Sequence, residues 1–255
     1  MSSISPLIDN RRSPPVTAGP LSDRPAAQRM PMRQFEIAAL MPGGAVEHRS
    51  VSAPAVPAIE EAATAFARGT LVPTPQGPVA VEDLLPGDRV TTDSGDVERL
   101  IWIGSTLFSR PRNRARAGMM RVMNDSVGDA LPEPDLLVGP AARLVVRHPR
   151  LGPLLGRASV LVPLSDYADG DRFVPVTPHG PVQLYHLLLA RHALLRLGGI
   201  SLETYHPGSA IEALAQTGLR GAFMALFPNL DGPGAFGQVA LSRTTRQSLE
   251  RLIGS

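Results

Sequence analysis

The chain contains no cysteine, so it has no disulfide framework, no thiolate metal site and no thiol nucleophile. It also contains no lysine: all 25 basic residues are arginine. A Schiff-base lysine and a phosphate-gripping P-loop lysine are thereby excluded, and the permanently charged guanidinium groups account for a pI of 9.6 beside a net charge of only +2. A balance so near neutrality gives no field of the kind that draws a protein to nucleic acid. No run approaches the ~18–20 apolar residues of a membrane-spanning helix. The start, MSSISPLIDNRRSPP, lacks the apolar core of a secretory signal, so a cytoplasmic protein without membrane contact is expected. No carboxylate pair, catalytic triad or phosphate-cradling glycine loop of specific spacing is present, and no cofactor is implied. No internal repeat is visible.

What remains is a chain of 255 residues, long enough for one domain of ordinary size with extensions. Its texture divides it into four stretches. Residues 1–31, rich in Pro, Ser and Arg, read as a disordered tail. Residues 32–60 hold a strand pair, Arg33–Met41 and Ala45–Ser52 around Pro42–Gly43–Gly44, and a linker from Pro54 to Pro57. Residues 61–208 carry short β-prone runs bounded by turn residues: Gly69–Pro73, Pro78–Glu82, Asp88–Thr92, Val97–Gly104, Leu136–Arg147 and Ser159–Leu164. Residues 209–255 form a helical extension. Ser209–Ala210–Ile211–Glu212 reads as a capping box opening a helix to Phe227, with Ile211, Leu214, Ala215, Leu219, Ala222, Phe223 and Leu226 on a helical period, and a last helix covers Arg243–Ile253.

The most specific stretch is Ala65 to Val90, AFARGTLVPTPQGPVAVEDLLPGDRV. It resembles the opening of the Hint fold shared by hedgehog autoprocessing domains and inteins. In bacterial Hint-domain proteins this opening reads C-F-x-x-G-T, then A-T-P, then V-x-x-L-x-P-G-D. Trp102–Ile103–Gly104 fits a further element of that family, and Val182–Leu189 with His192 and Gly198–Gly199–Ile200 resembles the strands that close its core. The resemblance covers residues 65–208 and implies a mainly β, Hint-type horseshoe with a small helical extension at its end. Periodicity alone makes Leu184–Leu197, LYHLLLARHALLRL, at least as good a helix. The flanking Pro181 and Gly198–Gly199, together with the resemblance, favour strands. Leu84, Leu100, Ile101, Ile103, Leu137, Val145, Leu161, Val162, Leu184 and Leu188 are expected to share one continuous β core.

The resemblance also names what is missing. The family's chemistry is autocatalytic peptide cleavage: a side-chain thiol or hydroxyl attacks the carbonyl before it, and a His carries the proton to the leaving nitrogen. Ala65 stands at the nucleophile position, and Ala142, in Gly139–Pro140–Ala141–Ala142, at the position of the motif His. His192 matches a position that is often His. Glu203–Thr204 falls where splicing inteins keep His-Asn. The resemblance therefore implies a naturally degenerate, non-cleaving relative that serves as a scaffold or as an interaction module for a protein partner. Ala65 and Ala142 are expected to lie close together around a recess shared with Gly139 and His192.

Two other readings compete. Thr64 or Thr70 could supply a hydroxyl nucleophile for an active self-processing protein, although neither has an identifiable base and both suit turn or strand roles. Arg110, Arg112, Arg114, Arg116 and Arg121 crowd one segment and could contact an anionic partner, yet no aromatic residues interleave them as stacking on bases requires. His186 and His192 would share a face if both sat on one strand, with only His206 near in sequence, so no metal site is expected. Asp88 is read as a turn residue.

Overall fold

Extended segments bounded by glycine and proline dominate the computed structural model, which describes residues 30–109, 118–128 and 130–254. The hairpin around Pro42–Gly43–Gly44 forms from β1 (Met32–Leu40) and β2 (Val46–Pro54). A short helix, α1 (Pro57–Glu60), and a 3₁₀ turn at Glu61–Ala63 lead to β3 (Phe66–Ala67). The Pro75–Gln76–Gly77 turn joins β4 (Leu71–Val72) to β5 (Val79–Ala80). Next come β6 (Arg89–Thr91), the long β7 (Val97–Phe108), β8 (Met119–Val122), β9 (Leu136–Val138), β10 (Arg143–Arg147), α2 (Leu151–Leu155), β11 (Ser159–Pro163) and β12 (Phe173–Val176). The closing strands are β13 (Val182–Leu189), β14 (Leu194–Leu197) and β15 (Ile200–Glu203), followed by α3 (Ala210–Gln216), α4 (Arg220–Met224) and α5 (Arg246–Gly254).

The principal sheet runs β12–β8–β9–β3–β13–β7–β1–β2, with β6 pairing β7 beside it; a second sheet runs β11–β10–β15–β14. The architecture is thus mainly β, with open sheets, and three of the five α-helices among the described residues follow residue 209. Leu184–Leu197 is β, as the glycines required. Gly198 and Gly199 have φ of +57° and +88°, the pair of left-handed conformations that a tight β14–β15 turn demands.

Burial explains why this segment lacks strand alternation. On β13, Leu187 packs into one apolar cluster with Phe66, Leu100 and Leu144, while Leu188 faces a second with Phe35, Trp102 and Tyr205. A strand covered on both faces has no polar side to display. The cover over the second face is the end of the chain, since Leu214, Phe223, Leu226, Phe227 and Phe236 complete that cluster. Trp102 is fully buried there and donates its indole N–H to the Leu226 carbonyl at 2.6 Å. Gly104 makes room for it, because a Cβ at that position would lie 2.1 Å from the Trp102 ring.

Several expectations need correction. Leu136–Arg147 is not one strand but two, β9 and β10, separated by a turn at Gly139–Ala142. The helix from Ser209 to Phe227 is broken at Thr217–Gly218, where Gly218 takes φ of +73°, and the Ser209 side chain makes no cap hydrogen bond. The apolar period survives the break because α3 and α4 face one cluster. The final helix begins at Arg246, not Arg243. The expected core residues are buried or half-buried, but they do not share one core: eight divide among four clusters, and Val145 and Leu161 are buried outside these.

Candidate functional site

Ala65 is anchored from three directions. Its N–H donates to the Tyr185 carbonyl of β13 at 3.0 Å, and its own carbonyl accepts the Gly139 N–H at 2.8 Å. One residue earlier, the Thr64 carbonyl accepts the Ala141 N–H at 3.0 Å. The Gly139–Ala142 turn, closed by Ala142 N–H to Gly139 C=O at 3.2 Å, therefore lies directly on the Thr64–Ala65 peptide. The Ala142 carbonyl in turn accepts the Leu164 N–H at 3.0 Å. Ala65 and Ala142, fully buried methyl groups, belong to the same apolar cluster.

Only glycine fits the centre of this contact. A Cβ on Gly139 would meet the Thr64 carbonyl oxygen at 2.2 Å and Leu184 Cδ1 at 2.6 Å. Backbone cannot swing aside as a flexible side chain can, so Gly139→Ala must part the turn from residue 64. The expected loss is about 1–3 kcal/mol of stability in urea unfolding, the usual range for forcing extra carbon into a packed interior. A change below about 0.5 kcal/mol would mean that the turn docks more loosely than its hydrogen bonds indicate.

Beside the turn lies a buried charge network. Glu203, 2% exposed, closes β15. Arg243 grips its carboxylate from Nη2 at 2.9 Å and Nε at 3.0 Å. Arg143, the residue after Ala142, stands 3.6 Å from Glu203 and bridges at 3.0 Å to Glu61, two residues upstream of Ala63. His192 Nε2 lies 3.2 Å from Glu203 Oε1. Burial opposes the charge on Glu203, but the bonds from His192 and Arg243 and the field of Arg143 outweigh it and hold the carboxyl below its usual range. Burial works against the Arg143 cation, but the charges of Glu61 and then Glu203 outweigh it and hold the guanidinium above its usual range.

The histidines do not converge on a metal. His186 lies on β13, whereas His192 lies in the β13–β14 connection, so the condition under which they would share a face is not met. Both ring nitrogens of His192 are engaged: Nδ1 accepts the Ala240 N–H at 2.8 Å, and Nε2 also reaches the Thr204 carbonyl at 3.1 Å. His206 stacks edge-on to His192 with ring centres 5.1 Å apart, and its Nε2 donates to the Gly237 carbonyl. Among the described residues no group of three His, Asp or Glu is placed to hold a metal ion.

His186 is different. Its Nδ1–H donates to the Glu61 carbonyl at 2.8 Å, while Nε2 has no hydrogen-bond partner among the described residues. The ring packs between Phe66 and Tyr205, whose buried hydroxyl is likewise unpartnered. Burial pushes the His186 pKa down to about 4 and that of Tyr205 well up.

The other candidates are placed as follows. Arg110, Arg112, Arg114 and Arg116 lie outside the described residues; Arg121 is exposed on β8. Thr64 Oγ1 donates to the Glu60 carbonyl at 2.9 Å and Thr70 Oγ1 to the Ala67 carbonyl at 2.7 Å, both local backbone bonds. Asp88 caps its own turn by accepting the Leu85 N–H at 2.8 Å. A surface cleft of about 540 Å³ is lined by Asp93, Glu98, Arg147, Arg191 and His192, but not by Ala65 or Ala142. Two of its carboxylates are engaged by arginine, Asp93 by Arg147 and Arg196 and Glu98 by Arg191. Sequence reasoning noted Glu203 only as a departure from splicing inteins and missed Glu61, Arg143 and Arg243. The one signal was a lone acid inside the apolar run ISLETY.

A family model described as Hint domain matches residues 64–209. Among solved structures, the solution structure of a bacterial intein-like domain from Clostridium thermocellum is 12% identical over 56% of this chain and 99% of its own length, with a TM-score of 0.40. The crystal structure of the MchDnaB-1 intein is 14% identical over 55% of this chain and 99% of its own, with a TM-score of 0.34. The zinc-bound Msm DnaB1 intein splicing domain is 15% identical over the same shares, 55% and 99%, with a TM-score of 0.33. No curated protein matches the chain.

Proposed function

Because this chain belongs to the Hint-domain family, we propose that it is a non-cleaving member of it, retaining the frame around the Thr64–Ala65 bond as a rigid scaffold for protein contacts. The observation that carries this reading is the Ala141 N–H on the Thr64 carbonyl. In acyl-shift chemistry that carbonyl carbon would be attacked from position 65, the oxygen would gather negative charge, and the departing nitrogen would need a proton. A backbone donor is already aimed at the oxygen. The attacking and proton-carrying groups are methyls, and no cysteine exists elsewhere to replace them.

The competing reading, a threonine nucleophile, is disfavoured by the same geometry. Thr64 and Thr70 spend their hydroxyl protons on neighbouring carbonyls, and neither has an imidazole or carboxylate within those contacts. Contact with an anionic partner through the arginine segment stays a separate proposal, tested by salt-dependent retention on an anionic resin.

Intact-mass spectrometry is the direct test. The purified chain, held with dithiothreitol or hydroxylamine for a day, should keep its full mass. Time-dependent fragments separating at residues 63–66 would overturn the reading. Ala65→Cys combined with Ala142→His should release a fragment ending at residue 64 under thiol, whereas Ala142→His alone should not. The imidazole enters a packed site at a cost of about 1–3 kcal/mol, so a thermal melt must first show the variant folded. A folded double variant that never cleaves would mean that this bond is not the one the frame was built around.

A further inference from the structure

The β1–β2 hairpin lies before the family-matched residues and extends the principal sheet, leaving β2 as its edge. We propose that this edge is a homodimer interface, in which β2 pairs antiparallel with β2 of a second copy about a two-fold axis at His48.

The backbone sets the possible registers. Met41 N–H to Ala45 C=O closes one end of the β1–β2 ladder, and Ala55 N–H to Pro31 C=O closes the other, both at 2.8 Å. The register between them is unbroken from Leu40↔Val46 to Met32↔Pro54. Antiparallel alternation then commits the backbone groups of Glu47, Arg49, Val51 and Ala53 to β1. Those of Val46, His48, Ser50 and Ser52 point away from β1, and all four residues are exposed. Among the described residues this row of donors and acceptors is unpaired, the surface that strand addition uses.

The side chains then choose the occupant. Glu47 and Arg49 are two apart, on one face, and already pair with each other at 2.6 Å while both remain partly exposed to solvent. In an antiparallel pair centred on His48, Glu47 of each copy stands opposite Arg49 of the other. Those positions are non-hydrogen-bonded, where side chains approach most closely, so both charge pairs are attractive. Moving the axis to Glu47 sets glutamate against glutamate, and moving it to Arg49 sets arginine against arginine. The strand is therefore self-complementary in the register that also matches its free backbone groups. Neither feature depends on residue 65, so the proposal stands or falls apart from the absence of cleavage.

Sedimentation equilibrium of the full chain from about 10 µM to 1 mM tests it, with circular dichroism melts to show that each variant is folded. A single strand pair makes a small interface, so a reversible dimer with Kd in the range of about 10–500 µM is expected. Glu47→Arg turns both cross-pairs repulsive and should weaken association about tenfold or more. Adding Arg49→Glu reverses both charges and should restore it. His48→Pro removes an outward N–H that β1 does not use, so the fold should persist while the dimer is lost. A chain that is monomeric at 1 mM overturns the proposal. So does a dimer that ignores Glu47→Arg or His48→Pro, or one that the double charge swap fails to recover.

Discussion

Glu203→Leu should destabilise the fold by about 3–5 kcal/mol, which is about a fifth or more of the stability of an ordinary domain. The size follows from what is left behind rather than from what is removed. Arg243 would retain the His206 carbonyl at 2.6 Å, Arg143 would retain Glu61, and His192 would keep only the Thr204 carbonyl on Nε2. Three polar groups would face a leucine in a site where the carboxylate is 2% exposed. An apolar replacement of one member of a buried network costs the desolvation of the others, whereas replacing all of them together can be neutral. Glu203→Leu with Arg243→Met should accordingly lose less than the two single changes added together. Urea midpoints with an unchanged m-value provide the measurement. A loss below about 1 kcal/mol for the single variant would show that water reaches the network.

This network is also where the sequence was least legible. A lone Glu or Arg is ordinarily a surface residue, and only its partners make burial tolerable. Those partners come from Glu61, Arg143 and Arg243, which no local pattern links. The motif residues were different. Ala65, Gly77, Gly87 and Gly139 sit in turns and strand starts whose chemistry is local, so the family's opening could be read directly and Gly139 marks the docking of two distant segments. β13 lay between these cases. With Leu187 and Leu188 on opposite buried faces, alternation vanished, and only the flanking Pro181, the glycine pair beyond it and the family resemblance told strand from helix. The helix expected over Ser209–Phe227 failed for the converse reason. Its apolar spacing was real, but it reported a shared target rather than a continuous backbone, and Gly218 was the breaker that the pattern overrode.

Acidification from pH 6.5 towards 4 should remove about 3 kcal/mol of stability through His186 alone, with about 2 kcal/mol of it gone by pH 5. The imidazole titrates near 6.5 in the unfolded chain and at about 4 in the fold, because burial disfavours its cation. The Glu61 carbonyl and the Glu203 charge favour protonation, and Arg143 opposes it, but desolvation prevails. Between those two values the unfolded state binds the proton and the native state does not. The contribution is therefore complete above pH 6.5, is lost as pH falls, and is exhausted below about 4. The carboxylates held below their usual range, Glu203, Asp93 and Glu82, act with the same sign but lower, at and beneath the ordinary carboxyl values of 4.5 and 3.8. His206, also depressed by burial, falls in the upper window and must be separated from His186. His186→Asn does this: its amide can still donate to Glu61, it cannot titrate, and His206 is common to both proteins and cancels in the difference. The variant will lose packing against Phe66 and Tyr205 at every pH, so the informative quantity is the slope. Urea unfolding at pH 7.5, 6.5, 5.5 and 5 should give a gap between wild type and variant that narrows as pH falls. Parallel curves would place the His186 ring in contact with solvent, against its burial between Phe66 and Tyr205.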